Sequence, residues 1–176
     1  MASFDKSHLG GFSVEYDTVI EIRDIISKSN KKDILEFGSG YGTNELLKIG
    51  QVYSIEDNIA WLNKTKSNYI HAPLEPREKI DPRFPKHKQY YSEKVLTKHL
   101  PPLKDKYGVV LVDGPLGTIG RSGILNYLNL LDVSVPFIFD DVNRGDELKL
   151  ALSFSDVVKR SVVIKHGSSG KKYAIV

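Results

Sequence analysis

The stretch ILEFGSGYGTNELLKIGQVYSIEDN, Ile34–Asn58, constrains the fold of this chain more tightly than any other. An apolar pair, Ile34-Leu35, with Phe37 close behind, reads as a strand buried on both faces. The strand runs directly into Gly38-Ser39-Gly40-Tyr41-Gly42, and a short helix is predicted from Thr43 to Ile49. Gly50 reads as the C-cap of that helix. A second strand, Gln51 to Ile55, then presents the carboxylate of Glu56 at its tip. Strand, glycine turn, helix, strand and terminal acid make the mononucleotide-binding half of a doubly wound α/β sheet. The glycines let the backbone turn sharply and let a ligand approach without meeting a Cβ. An acid at the second strand tip can accept both hydroxyl hydrogens of a ribose.

The glycine spacing separates nucleotide ligands. A dinucleotide fingerprint, G-x-G-x-x-G, needs a glycine where this chain has Thr43. The run that stands instead is E-x-G-x-G-x-G, Glu36 to Gly42. It resembles motif I of the class I S-adenosylmethionine-dependent methyltransferases. That resemblance implies a Rossmann-like, doubly wound, seven-stranded sheet ending in a C-terminal antiparallel β-hairpin, with S-adenosylmethionine as cofactor. It places Glu36 near the methionine end of the cofactor and Glu56 on the ribose. The implied cofactor-binding set is Glu36, Gly38, Gly40, Gly42, Glu56, Asp57 and Asp113.

Composition narrows the setting. With 176 residues and 40% hydrophobic content the chain can build one sizeable core and hardly two, so residues 1–176 read as a single domain. No run of about 18 apolar residues marks a membrane span. The opening MASFDKSHLGG lacks the apolar core of a signal peptide. These features point to the cytoplasm. Cysteine is absent, which excludes disulfides, thiolate zinc sites, a cysteine nucleophile and a cysteine-bound iron–sulfur cluster. The net charge of +3 is mild and its basic residues are scattered, so no polyanionic partner is called for. A homo-oligomer is left open.

Taken in order, residues 1–12 read either as a flexible arm or as a lid over the cofactor. Val14, Val19, Ile22, Ile25 and Ile26 then recur at helical spacing between Ser13 and Ser29. Asn58 is expected to cap a helix through Lys66, with Ile59 and Leu62 on its buried side and Trp61, the one tryptophan, near the ribose acid. Tyr69 to Ala72 reads as a third strand. Residues 73–106 are irregular and hold six of the eight prolines, with a convincing helix only from Ser92 to His99. A connection of that length suits a substrate-side role. It carries Arg77, Arg83, Lys86, His87, Lys88, Tyr90 and Tyr91, groups suited to a hydroxylated or anionic acceptor and equally to a solvated surface.

A fourth strand, Tyr107 to Val112, ends at Asp113, and a fifth, Pro136 to Phe139, runs into Asp140-Asp141-Val142-Asn143-Arg144. Ligands of open α/β sheets bind at the carboxyl ends of strands, so these acids reach the same rim as Gly40 and Glu56. Helices are expected from Gly120 to Leu131 and from Asp146 to Val158, the latter packing through Leu148, Leu152 and Phe154. Ser161–Lys165 and Lys172–Val176 flank a turn too short for a helix and must pair as a hairpin.

Two rim segments extend the resemblance. VDGPLGTIGR, Val112 to Arg121, and FDDVNRGDE, Phe139 to Glu147, resemble paired D-G-P-x-G…R and D-V-x-R-x-x-E segments of the glucuronoxylan 4-O-methyltransferase-like polysaccharide-biosynthesis family. That likeness implies methyl transfer to a hydroxyl of a sugar, a glycan or another small acceptor. Asp113-Gly-Pro-Leu116 lacks the aromatic of the amino-directed adenine enzymes, which speaks against a nucleic-acid acceptor. The catalytic candidates are Asp113, Asp141 and Arg121; Asp113, Asp140 and Asp141 are candidates either for a base or for ligands of a divalent cation. Arg121 or Arg144 is suited to a carboxylate on the acceptor. Two other classes fit parts of the pattern: an aminopropyltransferase-like enzyme and a catalytically silent cofactor-binding subunit.

Overall fold

The computed structural model describes residues 13–176; the expectations for residues 1–12 lie outside it. Among the described residues nine strands form two sheets. Those of the main sheet are β1 (Asp33–Phe37), β2 (Val52–Glu56), β3 (Asn68–His71), β6 (Tyr107–Val112), β7 (Phe137–Phe139), β8 (Val163–His166) and β9 (Lys172–Ile175). The remaining pair, β4 (Leu74–Pro76) and β5 (Gln89–Tyr91), is a separate antiparallel ladder. In space the main sheet runs β3-β2-β1-β6-β7-β9-β8. Its first five strands are parallel, and β9 and β8 pair antiparallel beside β7. This is the class I methyltransferase fold, with the reversed hairpin expected at the C-terminus.

Strand alternation sorts the core into two layers. Ile34, Val109 and Leu111 point to one face and meet α1 (Tyr16–Lys28) through Val19, Ile22 and Ile26, and α2 (Thr43–Leu46) through Leu46. Leu35, Phe37, Val110 and Val112 point to the other, under α3 (Glu93–His99) and α4 (Gly145–Val158). There Phe154 lies 4.5 Å from the Phe137 ring and 5.2 Å from that of Phe139. All six residues of β6 are buried, so the strand is located by packing on both sides. α1 has Asp17 in its first turn and Lys28 in its last, charges that suit the helix dipole.

Several local expectations change. Gly50 is no left-handed cap, because α2 already ends at Leu46. A Cβ on Gly50 would lie 2.2 Å from the Lys32 carbonyl oxygen, so close backbone approach requires the glycine. Asn58 does cap a helical turn, accepting from the Ala60 amide at 3.0 Å, but only a 3₁₀ turn, Ile59–Trp61, follows. So short a turn cannot lay a face on the core, and Ile59 is exposed. The predicted helix after Gly120 is a 3₁₀ segment, Ser122–Leu130, broken by non-helical geometry at Tyr127. In α4 the buried face is Glu147, Leu150, Ala151 and Phe154; Leu152 falls off that stripe and is exposed.

Residues 73–106 depart furthest from the reading of an irregular surface. The β4–β5 ladder orders them, and Phe84, Tyr90, Tyr91 and Leu96 join the larger core cluster. Arg77 is buried, donating to the His87 carbonyl, Ser122 Oγ and Asn126 Oδ1. It braces the segment against the 3₁₀ turn instead of facing an acceptor. Arg83 is engaged with Asp81 at 2.6 Å on the surface. Of the seven polar and aromatic residues singled out there, Tyr91 alone lines the cavity described below.

Replacing Gly50 tests the packing argument. Asparagine suits a left-handed cap but still carries a Cβ, so Gly50→Asn and Gly50→Ala should each lower stability by about 1–3 kcal/mol in urea titrations. Wild-type stability in Gly50→Asn would show that the approach of Lys32 is not limiting.

Candidate active site

A cavity of about 1450 Å³ opens over the carboxyl ends of β1, β2, β6 and β7. Its lining includes Ser39, Gly40, Glu56, Asp57, Asp113, Arg121 and Asp141. Main-chain ladders hold these residues right up to the rim. Gly38 N donates to Ile55 O at 2.8 Å, Asp113 N to Phe37 O at 3.0 Å, and Asp140 N to Val112 O at 3.2 Å. Gly38 has φ +83, and a Cβ on it would lie 2.8 Å from the Gly114 Cα. The β1 and β6 turns therefore cross at a point that only two glycines permit. A Cβ on Gly40, by contrast, would meet nothing within 4 Å, so this backbone is open to a ligand.

Glu36 and Glu56 hold the glycine loop from opposite sides. Glu36 lies behind the loop, buried. Its Oε1 accepts from Thr43 Oγ1 at 2.8 Å and from Ser54 Oγ, and Thr43 Oγ1 accepts from Gly40 N at 3.1 Å. It lines a small recess of about 30 Å³ rather than the main cavity. Burial drives its pKa to about 8, against the opposing pull of the Ser54 and Thr43 hydrogen bonds. Glu56 faces the cavity. Its Oε2 accepts from Ser39 N at 2.7 Å and Ser39 Oγ at 2.9 Å, and its Oε1 from Asn58 N at 2.8 Å. Three of its roughly four acceptor sites are thus filled by the protein. Asp57 stands next to it on the rim, its pKa raised by burial and by the charge of Glu56.

At the β6 and β7 ends, three aspartates meet three cations. Arg121 is buried and donates to Asp113 Oδ1 at 3.0 Å, Asp141 Oδ2 at 3.0 Å, the Asp140 carbonyl at 3.0 Å and the Pro115 carbonyl at 3.4 Å. Arg144 Nη1 approaches Asp141 at 3.1 Å and Glu147 at 4.0 Å. Lys171 Nζ lies 3.3 Å from Asp141 and 4.0 Å from Asp140. The two rim segments of the sequence therefore close into one network. Gly117 belongs to it as well, since a Cβ there would sit 2.5 Å from Arg144 Nη1.

The environments divide the three acids. Desolvation raises the pKa of Asp113, and the Arg121 charge only partly opposes it; its side chain keeps about a quarter of its surface open. Asp140 is raised by burial and then by the charges of Asp113 and Asp141, and its Oδ1 has no partner among the described residues. Asp141, at φ 59, is also desolvated, but Arg121, Lys171 and Arg144 outweigh that and lower it. Acid–base chemistry is thus separated over a few ångströms: Asp141 is committed to its anion, while Asp113 can take a proton near the cavity.

Every sequence-predicted site residue except Glu36 and Gly42 lines this cavity or its acid cluster. Gly42 is taken up by packing, with a Cβ there 2.3 Å from Val14 Cγ1. Lys171 and Ser39 had not been singled out. Ser39 sat inside the motif as a hydroxyl beside the strand-tip acid, a signal that could have been read. Nothing near Lys171 in sequence pointed to an aspartate pair 30 residues earlier. Tyr41 and Trp61 form an edge-to-face pair at 5.2 Å on the cavity wall.

No family model matches the chain, and no curated protein matches it in sequence. Solved structures share its fold. A precorrin-6y C5,15-methyltransferase from Geobacter metallireducens matches with TM-score 0.58 and 11% identity, over 98% of this chain and 94% of the other. An O-methyltransferase from Bacillus cereus, in complex with SAH, gives 0.55 and 13% over 96% and 84%. A precorrin 8w decarboxylase from Methanobacterium thermoautotrophicum gives 0.56 and 14% over 98% and 94%. At such identities the likeness is one of fold. Among the described residues no helix is long and apolar enough to cross a membrane.

The raised pKa of Glu36 makes stability depend on pH. Between its ordinary 4.5 and about 8 the folded chain holds a proton that the unfolded chain has released. Stability should therefore fall as pH rises through that window and flatten above it. Glu36→Gln has no such proton and keeps an oxygen for Thr43 and Ser54. Urea titrations at pH 5 and pH 8 should show its decline to be smaller than wild type's by on the order of 3–5 kcal/mol. Equal declines would place the Glu36 carboxyl in the ordinary range.

Proposed function

We propose that the chain is an S-adenosylmethionine-dependent methyltransferase that transfers the methyl group to a hydroxyl of a small acceptor, a sugar among the candidates. The observation that carries this reading is the cavity. It is bounded at one end by the glycine loop and Glu56, at the other by Asp113 within its charge network. Its volume exceeds the usual 300–1,000 Å³ of a single-ligand pocket and suits a cofactor together with an acceptor. The open space above Gly40 is where a cofactor would meet the loop. Glu56, with one acceptor site left, would take one ribose hydroxyl, and Asp57 the other. Bound there, the cofactor supplies the electrophilic methyl group.

The chain must then position an oxygen and accept its proton. Asp113 is the proposed base. It is the open member of the aspartate cluster, its pKa is raised toward the working range, and the β6 ladder fixes its place. Arg121 is the proposed positioning residue. Four hydrogen bonds hold it among Asp113, Asp141 and two carbonyls, so it orients the base rather than reaching an acceptor carboxylate. Arg144, half exposed on the cavity wall, is better placed to meet an anionic group.

A shared divalent cation fits this arrangement poorly. The three carboxylates lie within 4.8 Å of one another. Arg121 Nη2, however, already stands between Asp113 and Asp141, and Lys171 neutralises Asp141 further. With Arg121, Arg144 and Lys171 already set against these carboxylates, much of the charge that would draw in a metal is neutralised.

Calorimetry should show binding of S-adenosylmethionine and none of NADH; the reverse would end the reading. With an acceptor found by screening hydroxylated compounds, Asp113→Asn should lower kcat by about 10²–10⁴ while cofactor affinity changes little. A chelator should leave wild-type turnover intact, and the rate should fall at low pH as Asp113 takes up its proton. Near-normal turnover by Asp113→Asn would remove Asp113 as the base.

A further inference from the structure

Tyr91 ends β5 with its ring sealed in the core and its hydroxyl tucked against Gly114, a residue of the cavity wall. The side chain is 1% exposed, and Oη has no hydrogen-bond partner among the described residues. It nonetheless lines the cavity together with Gly38, Gly114 and Glu56. A Cβ on Gly114 would stand 2.4 Å from Oη, so the hydroxyl occupies room left by that glycine, beside the crossing of the β1 and β6 turns. Phe37 at 6.0 Å and Tyr90 at 4.9 Å, ring to ring, clamp the side chain. The O–H is therefore presented at one place.

Buried phenol hydroxyls nearly always find a partner, and an unpaired one destabilises the fold that holds it. Tyr90 supplies the internal comparison. Its hydroxyl is also buried and unpartnered, but it stays outside the cavity, its ring stacked at 6.0 Å on that of Tyr127. The Tyr91 phenol is pushed well above its ordinary value by burial, then by Tyr90, Glu56 and Asp57, so it remains a donor at any ordinary pH. Tyr91 pairs with Leu74, two residues beyond Ala72, whose amide donates to the Glu56 carbonyl at 2.9 Å, so it stands on the side of the cavity assigned above to the nucleoside. We propose that the Tyr91 hydroxyl donates a hydrogen bond to the nucleoside part of the cofactor, at a ring nitrogen or a ribose oxygen. This rests on the S-adenosylmethionine reading and adds a recognition residue to it.

The test is calorimetry of S-adenosylhomocysteine and of adenosine on the full chain, for wild type, Tyr91→Phe and Tyr90→Phe, with thermal melts of each protein without ligand. Tyr91→Phe should bind both ligands roughly three- to tenfold more weakly. Its ligand-free melting temperature should equal or exceed that of wild type, because an unpaired buried polar atom has gone. Tyr90→Phe should keep wild-type affinity for both. Wild-type affinity in Tyr91→Phe overturns the proposal, whatever its melting temperature. An equal loss in Tyr90→Phe also overturns it, since the effect would then come from core packing. Failure of wild type to bind S-adenosylhomocysteine is seen before any variant is compared, and it removes the cofactor reading and this contact together.

Discussion

A buried guanidinium among carboxylates is the interaction on which the functional rim depends. Arg121 joins Asp113, at the end of β6, to Asp140 and Asp141, at the end of β7. Burial works against its charge, yet the Asp113 and Asp141 carboxylates outweigh burial and hold it protonated. Taking such charges out of water is costly, and removing one partner of a buried pair typically costs about 3–5 kcal/mol. The arrangement survives because Arg121 and Asp141 each have several partners at once. What results is a rigid corner in which one aspartate is fixed as an anion and its neighbour is left able to accept a proton.

The other half of the cavity rests on a quieter constraint. Gly38 and Gly114 bring two turns into contact, and two acids tie the loop between them. Glu36 works from behind through Thr43 and Ser54, Glu56 from in front through Ser39. The Gly38, Ser39 and Gly40 amides thus have partners before any ligand arrives. Such preorganisation lowers the ordering cost of binding. It also explains why an acid stands at each end of the motif: one serves the loop's shape, and the other serves shape while keeping a free acceptor site toward the cavity.

The polar residues of 73–106 show how composition can mislead. Six prolines and a run of Lys, Arg and His suggest a solvated surface. In fact β4 and β5 pair, and Arg77, His87, Tyr90 and Tyr91 turn inward. Short three-residue strands carry too little periodicity to be recognised in sequence. Their pairing is decided by the core they cover, not by their own residues.

What the sequence determined by itself was the sheet and the rim. Apolar, β-branched runs bounded by turn residues, such as Tyr107–Val112, read as buried strands, and the glycines after β1 read as a tight turn. Topology then forces Glu56, Asp113 and Asp141 to one edge, so their convergence was legible without coordinates. Tertiary structure alone decided the role of each side chain there. Whether Glu36 faces the ligand or the core depends on the pleat and on α2. That Arg121 grips aspartates rather than an acceptor depends on distances between residues up to 20 positions apart. Lys171 enters the site from the hairpin turn, and Tyr91 from a strand invisible to pattern. A protonation state is set by desolvation and by neighbouring charges in three dimensions, quantities that no spacing along the chain contains.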